Sequence, residues 1–330
     1  MTSPISTSTT NSISIPIEKM GPPGIVTHLH VVPVFQDDRK NDEKRFRDKT
    51  SRNFRVTARL AKSNESQPSI NFNFEEGSGD SLFSIPENVA YLKVETFDGK
   101  FLFYPNSERR LSTVKFECTA QSAEEARRLF HRIVGPALDH LAYVANTPLH
   151  VVQISVVDEL HQISSTDILC PYPLASLNQG LGKVYGLLVP VYAMYREAVN
   201  ATSPFYKFFC FYKILEGLLK TLPGRLHTEA KIKNISLPPL KAKVPHYKDI
   251  PTDQKQYEGK SITRFFDEFL TNRFRNSIAH FISDEGSALN VNEVEEMERY
   301  SSVVHVADIC CRELISHFEK CIEVLEKPHE

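Results

Sequence analysis

The sequence lacks any run of about 20 apolar residues, the length needed to cross a bilayer. Its richest stretch, Val184 to Tyr195, is short and contains Pro190, so no membrane partner is expected. It also lacks the start of a signal peptide. The opening MTSPISTSTTNSIS is rich in Ser and Thr, with neither a charged beginning nor an apolar centre. The six cysteines (Cys118, Cys170, Cys210, Cys310, Cys311 and Cys321) include no C-x-x-C pair and outline no short disulfide framework. They are expected to be reduced and mostly buried, which suits a cytoplasmic location. Neither charge dominates: 39 Lys+Arg face 41 Asp+Glu. That balance excludes a chain that coats nucleic acid along its whole length, yet permits a local basic patch. There is no internal repeat and no Ser-His-Asp or Cys-His nucleophile signature. Gly180, Gly182 and Gly186 follow no strand at phosphate-loop spacing. No cofactor is expected.

What is present suffices for two cores, since the chain has 330 residues and 41% hydrophobic content. The expected fold class is α+β, with a mainly antiparallel β domain followed by an all-α bundle. Residues 1–24 read as a disordered arm closed by Gly21-Pro22-Pro23-Gly24. Residues 25–165 read mainly as strands. Phe54, Val56, Ala58 and Leu60 alternate with Arg55, Thr57 and Arg59, and Ile70, Phe72 and Phe74 alternate with Asn71 and Asn73. Asp98-Gly99 suits a two-residue hairpin turn, and further strands are expected at 112–119 and 149–157. Ser122 and Glu125 form a capping box that starts a helix, with a kink or break expected at Pro136. His28 and His30 share a strand face, but no third ligand is evident, so no metal is expected.

Residues 166–330 read as helices. They are expected at 176–199, from Ser203-Pro204 to Leu222 with Pro223-Gly224 as the stop, at 261–282, and at 292–326. In the last, Met297, Tyr300, Val304, Ala307, Cys311, Leu314, Phe318, Cys321 and Leu325 form one apolar stripe. Four such helices suggest a bundle. The connection 223–259 carries Lys231, Lys233, Lys241, Lys243 and Lys248 among four prolines. It reads as a mobile basic loop able to hold RNA phosphates.

Phe274-Arg275-Asn276-Ser277-Ile278-Ala279-His280 resembles the R-x4-6-H signature of the HEPN superfamily, in which a polar residue often follows the Arg. Glu216, an acidic residue within an apolar helix, is similar to a family feature as well. Among subgroups the helical half looks most like MauJ-like and ApeA-like proteins, while residues 1–165 resemble nothing specific. The bare motif also fits Arg312 with His317, but Glu313 follows that Arg and His317 borders the apolar stripe. Arg273 with His280 fits too, which makes Arg273 a candidate substrate-binding residue beside Glu216 and the loop lysines.

Asn276 and His280 share a helix face, whereas Arg275 and His280, five apart, do not. The resemblance supplies a solution, a homodimer bringing two motifs into one cleft. It implies metal-independent RNA cleavage through the 2′-hydroxyl in stress response, toxin–antitoxin biology or phage defence. His280 would exchange protons, Arg275 would clamp phosphate and Asn276 would orient them. The first domain would receive a protein or small-molecule trigger. The rival reading is a non-catalytic binding or dimerisation scaffold.

Overall fold

A computed structural model describes residues 20–32, 42–63, 79–96, 99–170, 183–247, 250–275 and 289–327, with Ile15, Tyr172 and Ile278 as single positions. The expected strand at Ile70–Phe74 and nearly all of the arm fall outside these. Seven strands form one antiparallel sheet: β1 (Val26–Val31), β2 (Arg52–Ala61), β3 (Leu92–Thr96), β4 (Gly99–Pro105), β5 (Leu111–Ala120), β6 (His150–Asp158) and β7 (Ser164–Leu169). Their order is β1-β7-β6-β2-β5-β4-β3. The α+β class therefore holds.

The alternation in β2 has its expected cause. Phe54, Val56, Ala58 and Leu60 are buried, and they join Val114 and Phe116 of β5 and Ile154 and Val156 of β6 in one core. Helix α2 (Ala123–Ala145) covers that face with Ala126, Phe130, Ile133, Val134 and Leu138. Its start is the expected capping box: Glu125 N–H donates to Ser122 Oγ at 3.1 Å, and Gln121 N–H donates to Glu125 Oε2 at 2.7 Å.

Three expectations for this half do not hold. Helix α2 does not break at Pro136. The proline is exposed beside the equally exposed Arg132, so the carbonyl left without its N–H partner lies on the watery side of the helix. The β3–β4 ladder closes with Thr96 opposite Gly99, so Gly99 belongs to the ladder and not to the turn expected at Asp98-Gly99. The sheet runs to Leu169, past the boundary at residue 165, because β7 pairs with β1 from Val26↔Leu169 to Val31↔Ser164.

Among its described residues the helical half holds α3 (Val189–Asn200), α4 (Pro204–Glu216), α5 (Leu222–Ile232), α6 (Ile262–Phe265) and α7 (Val294–Glu326). Helix α3 starts later than the expected residue 176, since Lys183–Tyr185 are not helical and a 3₁₀ turn Gly186–Leu188 precedes it. Pro190 therefore sits in its first turn, where a missing N–H costs nothing. Helix α7 matches its stripe: Tyr300, Val304, Ala307, Cys311, Leu314, Phe318, Cys321 and Leu325 are all buried. At 33 residues it extends about 50 Å.

Pro223-Gly224 does not stop a helix. A π-helical turn, Gly217–Thr221, joins α4 to α5, with Leu222 N–H bonded to the Gly217 carbonyl five residues back. The wider winding moves the proline ring off the carbonyl it would otherwise strike, and α5 then buries Leu222, Leu226 and Ala230. The rest of the supposed mobile loop is anchored. Val244 N–H bonds the Lys260 carbonyl at 2.9 Å and Ile262 N–H the Ala242 carbonyl at 3.1 Å. Val244, Ile250 and Gln254 are buried. Lys248 lies outside the described residues.

Among the described residues the two halves touch around Lys207 and again between α2 and α7. Lys207 of α4 is buried, and its ammonium donates to the Gly24 carbonyl at 2.9 Å and to the Tyr172 hydroxyl at 3.3 Å. Gly24 has φ +72°, and a Cβ there would lie 2.3 Å from the Tyr172 hydroxyl, so only glycine fits. Elsewhere, Arg128 of α2 pairs with Glu295 of α7 at 3.1 Å. Asn292 bonds Asp139 and packs where a Cβ on Gly135 would be, 3.1 Å away.

Candidate functional site

Helix α6 does not continue as an α-helix. From Phe266 to Arg275 the backbone winds as a π-helix, a rare form that recurs at functional sites. Its inner face is aromatic. Phe266 stacks on Tyr212 (4.9 Å between centroids), Phe269 on Phe265 (5.3 Å), and Phe274 meets Phe208 (5.3 Å) and Tyr300 (5.2 Å). Polar groups fasten the same stretch. Thr271 Oγ1 donates to the Phe266 carbonyl at 2.9 Å, Tyr212 Oη lies 3.2 Å from Thr271 Oγ1, and Lys220 pairs with Asp267 at 2.8 Å.

Arg275 ends this stretch with its side chain exposed. Arg273 is also exposed, and its guanidinium lies 3.6 Å from Asp253 and over the Phe269 ring at 5.0 Å. Asn276 and His280 lie outside the described residues. Ile278, between them, packs on the helical core.

The other expected site residues are dispersed. Glu216, at the end of α4, is half-buried and held by Lys213 of its own helix at 2.5 Å. Lys231 and Lys233 lie at the end of α5, Lys233 bonded to Glu229 at 2.8 Å and to the Leu325 carbonyl at 3.1 Å. Lys241 and Lys243 are exposed on the chain leading to α6, where Lys243 bridges to Ser261. The second motif pair stays apart in its bonding. Arg312 pairs with Asp308 at 3.4 Å, while His317 Nε2 lies 3.5 Å from Cys321 Sγ, and burial lowers the His317 pKa.

Two residues with a role here were not legible as such. Tyr300, read as one member of an apolar stripe, is fully buried and donates its hydroxyl to the Phe274 carbonyl at 3.0 Å. Arg299 donates to the Arg273 carbonyl, pairs with Glu296 at 3.1 Å and lies over the Phe274 ring at 4.9 Å. The only sequence signal was a Tyr where the stripe asked for any apolar residue.

In the sheet half, His28 is bonded within the sheet. Its Nδ1 lies 2.7 Å from Asp167, which also receives the Arg127 guanidinium at 2.8 and 2.9 Å. His30 instead packs edge-on against Phe46, with centroids 5.4 Å apart. Among the described residues no group of three His, Cys, Asp or Glu is arranged to hold a metal ion, and no helix is long and apolar enough to cross a membrane. All six cysteines are free thiols, Cys118 half-buried and the others buried.

Residues 191–316 match the family described as methylamine utilization protein MauJ. They form a MauJ-like domain that runs from α3 into α7 and contains Arg275, Asn276 and His280. No curated protein and no solved structure is similar to the chain.

Proposed function

We propose that the helical half is a metal-independent endoribonuclease of the HEPN type. In this reading His280 takes the proton of the RNA 2′-hydroxyl, whose oxygen attacks the adjacent phosphorus. The 5′-oxygen leaves with a proton, giving a 2′,3′-cyclic phosphate and a 5′-hydroxyl. Arg275 offers two parallel N–H donors to the phosphorane oxygens, and Asn276 orients the imidazole. The observation that carries the reading is Arg275 itself, an exposed guanidinium on a firmly packed backbone, directly before Asn276 in the sequence. Two copies of the chain would complete the site, and the sheet half would receive the trigger. A cytoplasmic defence or toxin–antitoxin role belongs to the same reading.

A second reading is a non-catalytic scaffold. It is favoured by the number of nearby cations already matched to carboxylates: Lys213 to Glu216, Lys220 to Asp267, Arg264 to Glu268 and Arg273 to Asp253. Purified protein incubated with total RNA in EDTA separates the two. The ribonuclease reading expects cleavage, lowered by about 10²–10⁴-fold in His280→Ala, severely impaired in Arg275→Lys and retained in His317→Ala. An inert wild type, or a dead His317→Ala beside an active His280→Ala, overturns it.

A further inference from the structure

We propose that Tyr300, assisted by Arg299, is the positioning residue for Arg275. The inference rests on the reading of Arg275 as the phosphate clamp.

The two carbonyls immediately before Arg275 are each supplied by a side chain from α7. Arg299 serves Arg273, and Tyr300 serves Phe274 at 3.0 Å. The Tyr300 ring is enclosed by Phe205 at 4.8 Å, Phe208 at 5.3 Å and Phe274 at 5.2 Å between centroids. It has nowhere to turn, so its hydroxyl fixes one peptide plane. Burial pushes the phenol up to about 12, which keeps it a donor at any working pH. An exposed, flexible arginine gains geometric precision only if its backbone is fixed, and a misplacement of about 1 Å can cost a site 10²-fold. Tyr300 touches no reacting atom, and its effect must pass through Arg275.

That last requirement makes the idea testable with the full chain and a single-stranded RNA probe. Tyr300→Phe keeps the ring and removes only the hydroxyl. It is expected to lower kcat about 10-fold while KM moves less than about 2-fold. In an Arg275→Ala background the same change should cost nothing further. Tyr195→Phe, which removes a partly buried tyrosine hydroxyl bonded to Asp308 at 2.7 Å, should leave kcat unchanged. An unchanged kcat in Tyr300→Phe, or a loss that adds fully to that of Arg275→Ala, overturns the proposal.

A second measurement needs no activity: the Arg275 side-chain Nε–H signal in NMR should shift or broaden in Tyr300→Phe and not in Tyr195→Phe. If the wild type cleaves no RNA, the ribonuclease reading fails by itself. The NMR signal then decides the positioning claim, and an unmoved signal sinks it. Should Tyr300→Phe not fold, Arg299→Met keeps a stem over Phe274, removes the other donor and is read in the same two ways.

Discussion

Among the described residues the sheet half buries two of its ion pairs, whereas every ion pair within the helical half stays at least partly in water. In the sheet half, Arg52 and Asp158 meet at 2.8 Å with 8% and 5% of their side chains exposed, and Arg127 and Asp167 at 2.8 Å with 6% and 13%. In the helical half, Lys213–Glu216, Lys220–Asp267 and Arg264–Glu268 each leave at least 34% of either side chain exposed, and the core is a cluster of Phe, Tyr and Leu. Buried charges commit a structure to complete pairing, because one partner alone is costly. The contrast is one of stability: two carboxylates of the sheet half are tied to buried guanidiniums, and those of the helical half are not.

The strongest way to break this contrast is to remove one carboxylate from each half. Asp158→Ala leaves the buried Arg52 with backbone carbonyls but without its carboxylate, and also strips the Leu160 and His161 amides of the acceptor they reach at 3.1 Å. The expected loss is about 3–5 kcal/mol. Asp267→Ala removes a pair half in water, and about 1 kcal/mol or less is expected. Denaturant unfolding of the two variants measures both. Equal losses would mean that the halves are not stabilised differently.

Acid should sharpen the same contrast. His131 of α2 is half-buried against Phe130, with ring centroids 5.6 Å apart, and desolvation holds its pKa down to about 4. Asp167 pulls the other way, and Arg127 adds to the depression. The unfolded chain takes up this proton near pH 6.5, and the folded chain not until about pH 4. Stability from this group is thus complete above pH 6.5 and falls as pH drops from 6.5 to 4, by up to about 3 kcal/mol. His30 is shifted in the same direction by burial. Unfolding free energies at pH 7 and 4.5 should diverge in the wild type and converge in His131→Asn. A variant that keeps the full pH dependence would assign the sensitivity elsewhere.

Much of this architecture was legible in the chain. Period-two alternation at Phe54–Leu60, the Ser122 capping box and the α7 stripe each reflect a single physical demand, burial on one face or satisfaction of end groups. What stayed hidden depends on competition between demands. Pro223-Gly224 reads as a stop unless a wide turn removes the clash, and nothing in Gly217–Thr221 announces that turn. The buried residues of the π-stretch, Phe266, Phe269, Leu270 and Phe274, are spaced at three and four like those of an α-helix, so the apolar pattern does not tell the two windings apart. At the candidate site, Arg275, Asn276 and His280 stood out as residue types in a known order. The donors that hold the backbone behind Arg275 did not, since they come from α7 and their pairing is created only by the fold.

The smallest effect on stability belongs to the surface lysines. Lys231, Lys233, Lys241 and Lys243 were expected on a mobile loop, but the segment is a helix followed by an anchored strand-like run. Ordering changes what they can contribute, since fixed cations lose little entropy on meeting a phosphate. Substituting all four with Ala should leave unfolding almost unchanged. Lys233 is the exception: its bonds to Glu229 and the Leu325 carbonyl contribute about 0.5 kcal/mol. If the reading of this face as an RNA-binding surface holds, affinity for single-stranded RNA should weaken, and the slope of log K against log salt should flatten. The limit is about 0.7 for each phosphate no longer neutralised, or about 3 for four. Because Lys233 is already paired, a flattening nearer to about 2 is expected, and restoring Lys241 and Lys243 alone should recover most of it. A slope that does not move would take this face out of RNA binding and leave that task to Arg273, Arg275 and whatever a second copy of the chain brings beside them.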